Sequence, residues 1–169
     1  IFDKNPGHEF YLEESMAIPW MYPHLVPYGI ILKIERNPSG EWSADQQAKI
    51  IRRDRAFWDQ YIDRLIGHHI VNKETTVKDL QGWIQRVYQH RNHAGHTSTQ
   101  RRFLRSYVAQ RAFSKLRASI ANLYDWRIRN IDNLIAKISV DDNKLKELKQ
   151  RRRALFTEAD YAFRQAYAI

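Results

Sequence analysis

The stretch SADQQAKIIRRDRAFWDQYIDRLIG, Ser43 to Gly67, decides the fold. Ser43 followed by Gln46 has the form of a capping box, which satisfies backbone N–H groups left orphaned at a helix start. Ile50, Ile51, Phe57, Trp58, Tyr61, Ile62 and Leu65 then recur at helical spacing until Gly67 closes the element. The spacing predicts an amphipathic helix of six turns, which needs other helices or a sheet to cover its apolar face.

Upstream, residues 1–40 hold all five prolines, and Pro19, Pro23 and Pro27 at four-residue spacing forbid a regular helix, since each removes a backbone donor and clashes with the preceding turn. The segment reads as an extended Pro-rich arm, residues 1–40, packed on a helical body. Short strands are expected at 10–15 and 29–35, the second with Ile30, Leu32 and Ile34 on one face, followed by a turn over Asn37–Gly40. From Ser15 to Leu32 there are 18 residues without a formal charge, but the three prolines exclude a spanning helix. Trp20, Tyr22 and Tyr28 would suit a lipid interface; covering the helical core is the favoured role.

Downstream, Thr76 with Asp79 opens a second helix whose stripe is Leu80, Trp83, Ile84, Val87 and Tyr88, and His90–Ser98 reads as a polar loop. Thr99–Ser139 lacks proline and glycine, so one helix of about 60 Å is allowed, with a break expected near Asn130. Asp141 or Asp142 would cap a last helix to the chain end. The expectation is a mainly α fold: a bundle-like domain of four to five helices with the arm at 1–40, a helical body at 41–140 and a C-terminal helix at 141–169. The chain starts at Ile1, without Met, and so reads as a piece of something longer.

With 169 residues, six Gly and no Cys, a collagen-like chain, a disulfide scaffold, a thiol nucleophile and Cys-based zinc sites are excluded. The arm carries three basic and five acidic side chains, and the rest carries 25 and 14, so the two parts should attract. Between Asp79 and Asp125 there is no acidic residue, yet Arg86, Arg91, Arg101, Arg102, Arg105, Arg111, Lys115 and Arg117 lie there. On a helical wheel Leu104, Val108, Ala112 and Leu116 share an arc with Arg101, Arg105, Arg111 and Lys115, which reads as a central, largely buried helix. Buried cations need partners. Carboxylates, chiefly Glu13, Glu14, Asp59 and Asp63, are preferred over an anionic ligand.

The pI of 9.9 invites a nucleic-acid reading. Its best local candidate is Lys144, Lys146, Lys149, Arg151, Arg152 and Arg153, equally suited to anionic lipid, but no base-reading motif accompanies them, and nucleic acid is the less favoured partner. His90, His93 and His96 are expected to be solvent-exposed loop residues and not metal ligands. Adjacent Glu13 and Glu14 would face opposite ways on a strand, against a shared acid–base role. No nucleophile elbow, phosphate-cradling glycine loop or zinc-protease signature occurs, so no catalytic residue, cofactor or metal is expected.

Three stretches carry a resemblance: YLEESMAIPWMYPHL (Tyr11–Leu25) running into Gly29–Ile34, then Ala112–Ile120 with LYDWR (Leu123–Arg127), and EADYAFRQA (Glu158–Ala166). Together they resemble the soluble region of large bacterial multi-pass membrane proteins whose membrane half is similar to protein O-mannosyltransferase-type glycosyltransferases, often followed by a tetratricopeptide-like array. Ala159, Phe163 and Ala166 have the small-aromatic-small spacing of a tetratricopeptide second helix. The resemblance implies a noncatalytic interaction or scaffold module, extracytoplasmic and membrane-associated, partnered by that membrane half or another protein. An acceptor glycan or lipid-linked sugar would meet Glu13, Glu14, Trp20, Tyr22, Arg111, Lys115 and Arg117. The competing expectation is a basic nucleic-acid or anionic-membrane binding domain.

Overall fold

The computed structural model describes residues 1–137 and 142–169, and the fold is mainly α. The arm forms a small antiparallel sheet with β1 (Phe10–Leu12), β2 (Leu25–Tyr28) and β3 (Ile31–Ile34), ordered β1-β3-β2. The helices are α1 (Ala44–Ile66), α2 (Val77–Ile84), α3 (Ser98–Leu104), α4 (Tyr107–Ile135) and α5 (Asp142–Ala168). Asp141, Ser139 and the boundary expected at 140/141 lie outside the described residues.

The expected capping box at Ser43 forms, and the expected start at Thr76 forms another. Ser43 Oγ accepts from Gln46 N while the Gln46 side chain accepts from Ser43 N, and Thr76 with Asp79 does the same for α2. A third box, Thr97 with Gln100, starts α3. Four elements depart from expectation. The first strand stops at Leu12, because Glu14–Met16 turn into a 3-10 helix. Leu25–Tyr28 is a strand despite Pro27: as the edge of the sheet it needs no inward N–H from that residue. Gly29 and Ile30 are the two-residue hairpin loop between Tyr28 and Ile31, so Ile30 is not a strand residue; Gly29 takes φ +67°, which only glycine adopts freely. The long helix breaks at Arg105–Ser106 and passes unbroken through Asn130, because Ser106 Oγ caps a new helix on Ala109 N and Gln110 Nε2 donates to the loosened Phe103 carbonyl. That break separates the residues placed on one wheel: Leu104 is buried on α3, whereas Val108 and Ala112 on α4 are exposed.

Helices α4 and α5 run antiparallel, since Asp132 meets Arg152 near one end and Ser114 Oγ reaches the Ala166 carbonyl near the other. Helix α1 lies against both. The core joins Trp58, Ile62 and Ile66 of α1 to Ile120, Leu123 and Tyr124 of α4 and Leu148 and Leu155 of α5, with Leu25 and Leu32 supplied by the sheet. Past α2 a π-helical turn, Gln85–Gln89, sets Tyr88 beside Trp83 to hold the end of α5: Trp83 Nε1 donates to the Ala168 carbonyl at 3.1 Å and Tyr88 Oη to that of Ile169 at 2.6 Å. These bonds occupy carbonyls a helix C-terminus leaves unpaired.

The free edge of β2 is closed by guanidinium groups. Arg127 of α4 donates Nη2 to the Leu25 carbonyl and Arg53 of α1 donates Nη2 to that of Pro27 at 3.0 Å. Arg151 of α5 reaches the Ser39 carbonyl at 3.3 Å. The arm is therefore fastened mainly through its backbone. Three of its acids pair within the arm, Glu9 and Glu35 with Lys33 and Asp3 with Arg36, while Glu14 reaches Lys115 of α4.

At Gly29 an added Cβ would come 3.2 Å from the Phe57 ring in a left-handed conformation. Gly29→Ala is expected to lower stability by about 1–2 kcal/mol, read as a shifted denaturation midpoint.

Candidate functional site

Two polar constellations lie inside the helical body. The first is a buried network across α1, α4 and α5. Asp54 occupies the same face of α1 as Trp58 and Ile62, one and two turns on, so its carboxylate enters the core. Arg117 Nη1 and Tyr124 Oη both donate to Asp54 Oδ2 at 2.9 Å, and Arg117 Nε donates to Gln165 Oε1 at 2.8 Å. Gln165 Nε2 passes the chain to Asp59 Oδ1 at 2.8 Å, which also accepts from Tyr161 at 2.9 Å. Arg117 is fully buried, with its charge over the Trp58 ring at 5.2 Å. Beside it Arg55 grips Glu158 through Nε and Nη2, and burial holds the Glu158 carboxyl above its ordinary range. Each buried carboxylate is thus engaged by a cation, a phenol or an amide. Such an arrangement orients helices and leaves no free base facing a cleft.

The second constellation surrounds Arg127, which follows Tyr124 by one turn on the same face of α4. It is 5% exposed and lies over the Trp42 ring at 4.7 Å and near that of Tyr124 at 5.9 Å. Unlike Arg117 and Arg55 it has no carboxylate within ion-pair distance among the described residues; Nε and Nη1 have no acceptor. Burial pulls its guanidinium down to about 10, so it stays charged at neutral pH; ring faces and one carbonyl touch it, while the Asp54 carboxylate acts on it from beyond ion-pair distance. Arg127 backs a cleft of about 500 Å³ between the Pro23 and Pro38–Gly40 turns, α4 and α5.

The residues singled out from the sequence disperse. Glu14 meets Lys115 at 2.9 Å, one of the arm-to-body ion pairs expected, but Lys115 is largely exposed. Glu13 is exposed and neither carboxylate reaches a buried cation, because the arm meets those through carbonyls. Arg117 takes Asp54 as its carboxylate, not Asp59 or Asp63, while Asp63 binds His68 Nδ1 and the His69 N–H. Arg111 is exposed, as are Arg101, Arg102 and Arg105, so the cations of α3 and early α4 face water instead of lining a buried spine. Tyr22 packs against Trp126 at 5.7 Å and Tyr28 lies under Arg53 at 4.8 Å, whereas Trp20 is 67% exposed. Of the six C-terminal cations, Lys146, Lys149 and Arg153 are exposed, Arg152 binds Asp132, Lys144 meets Glu147, and Arg151 turns inward to Ser39 and Gln47, so they do not form one face. In the loop His90 is exposed, but His93 and His96 are half-buried, with the His96 ring 5.4 Å from that of Trp83. Among the described residues no group of three or more His, Asp or Glu converges as metal ligands.

Asp54 and Arg127 were not singled out, although a signal existed. Both sit on apolar stripes, Asp54 with Trp58 and Ile62, Arg127 with Ile120, Tyr124 and Ile131, where a charged residue is rare unless paired.

Asp54→Asn should cost about 3–5 kcal/mol by leaving Arg117 buried without its counter-charge, while Glu14→Gln, removing a pair whose lysine is solvent-exposed, should cost under about 1 kcal/mol; chemical denaturation of both variants checks this contrast. The phenols of Tyr88, Tyr124 and Tyr161 are raised chiefly by burial. Their contribution to stability is complete below the unfolded tyrosine value of about 10 and is lost as pH rises toward the folded values. Ultraviolet titration should show these three ionising only together with the loss of helical circular dichroism. Comparison of the chain with protein families, with curated proteins and with solved structures finds no match, so the geometry carries the functional reading.

Proposed function

We propose that the chain is a noncatalytic helical interaction module of a membrane-associated, glycosyltransferase-like protein, displayed on the extracytoplasmic side. It docks on the membrane half of that protein or on another protein through the crest of its arm. The observation that carries this reading is the crest itself: Met16, Ile18 and Trp20, at 67%, 46% and 67% exposure, stand out from a segment flanked by two contacts to α4, Glu14–Lys115 and Tyr22–Trp126. Apolar side chains presented on a braced, proline-stiffened support lose little entropy on binding. The engaged state of each buried carboxylate supports a noncatalytic role, and no described helix is long and apolar enough to cross a membrane, so the attachment would come from elsewhere.

A tetratricopeptide-like array following α5 belongs to the same proposal. Ala159 and Ala166 are buried within this domain, leaving Phe156, Phe163 and Tyr167 as an exposed stripe for a following repeat to cover. The competing reading, a nucleic-acid or anionic-membrane binder acting through Lys144 to Arg153, loses ground to the dispersal of those cations.

A photo-crosslinking residue in place of Trp20, in the full-length protein in its own membranes, should trap protein: either a distant segment of the same polypeptide or one reproducible partner. Trp20→Ser should abolish that association without lowering the melting temperature. Crosslinks to lipid or nucleic acid alone would refute the proposal.

A further inference from the structure

Two buried cations of this fold, Arg117 and Arg127, are partnered differently. Arg117 has Asp54 and Arg55 has Glu158, whereas Arg127 has no carboxylate among the described residues. One turn along α4, Asn130 repeats the pattern: its Nδ2 is buried without an acceptor. Both residues belong to the wall of the same 500 Å³ cleft. The other polar members of that wall include Lys137, Lys144 and Arg151, and no described acidic residue lines it. The nearest acid is Glu147, half exposed, 3.3 Å from Lys144 Nζ and 3.7 Å from Arg151 Nη1. The remainder of the wall is apolar, with Trp126, Ile131, Leu134, Leu148 and Leu155.

A cleft with cations of one sign over low-dielectric walls concentrates positive potential at its mouth. Arg127 contributes charge from behind, its free N–H groups being shielded from solvent, and Arg151 does so while bonded to Ser39 and Gln47, so that exposed Lys137 is the cation open to direct contact with a ligand. Arg127, Lys137 and Arg151 outnumber Glu147, the one described carboxylate beside them, and such an excess suits a doubly charged group better than a single carboxylate. The apolar share of the wall suits a carrier with a flat or aliphatic body.

We infer that this cleft is a binding site for a soluble phosphate monoester with an apolar or aromatic body, its phosphate held by Lys137 in the field of Arg127 and Arg151 and its body against Trp126 and Leu148. The assignment goes beyond the docking role of the arm crest and stands or falls separately from it.

Calorimetric titration of the full chain with phenyl phosphate tests it. Saturable binding is expected, weakened about tenfold or more by Lys137→Gln and by Arg127→Gln. Lys149→Gln, an equal loss of charge on an exposed residue outside the cleft, should leave it unchanged. Lys137 is exposed, so its variant keeps the test valid if Arg127→Gln fails to fold. Absence of saturable binding, equal weakening by Lys149→Gln, or a response to phosphatidate vesicles without any to phenyl phosphate would overturn the inference.

Discussion

The fold hangs on guanidinium groups reaching backbone carbonyls across the seam between arm and body. Strand β2 is an edge, and an uncovered edge exposes unpaired carbonyls that invite unwanted pairing. Arg127 and Arg53 occupy those of Leu25 and Pro27, and Pro27 brings no N–H of its own to satisfy. Hydrogen bonds to a charged donor are stronger than neutral ones, so a short three-stranded sheet becomes a fixed part of a helical protein. Once β2 is held, Leu25 and Leu32 enter the core and the uncharged run before them is braced along α4.

Inside the body, charge does a second task. Asp54, Arg117, Tyr124, Gln165, Asp59 and Tyr161 join three helices by directional bonds that a purely apolar core lacks. A buried ion pair adds little net stability over packed hydrocarbon, but losing one partner is expensive. We read the network as a register device: a one-turn slip of α5 would part Gln165 from both Arg117 and Asp59. The same reasoning sets Arg127 apart, because its charge is buried like that of Arg117 yet touches only rings and one carbonyl, with Asp54 beyond ion-pair distance, and it faces a cleft.

Much of the helical frame was legible in the chain. Ser43 with Gln46 and Thr76 with Asp79 announce two helix starts because capping is local, settled within four residues. The break at Ser106 was not legible, since nothing there excludes helix; a serine cap and a bond from Gln110 to Phe103 win only once α3 packs on α1 and α4 takes another course. Strand β2 was hidden by Pro27, which forbids a central strand but not an edge, and edge or centre is a property of the assembled sheet. At the candidate sites, Glu14 was expected to meet a buried cation and meets exposed Lys115 instead, while Arg127 found its partner in a backbone carbonyl, which every residue carries and no side-chain pattern reveals.

What the sequence by itself determined is therefore the class of structure: a mainly α body, an arm that prolines keep from being helical, helix ends set by caps, and an excess of arginine that needs acceptors. These follow from short-range sterics and from counting charge. The tertiary structure alone decided which acceptors those arginines take, which of the uncharged aromatics stay in water, and that no carboxylate among the described residues pairs with Arg127. Such outcomes depend on distances between groups up to about a hundred residues apart in the chain, as with Arg127 and Leu25, and on the low dielectric that appears only when the core closes around them.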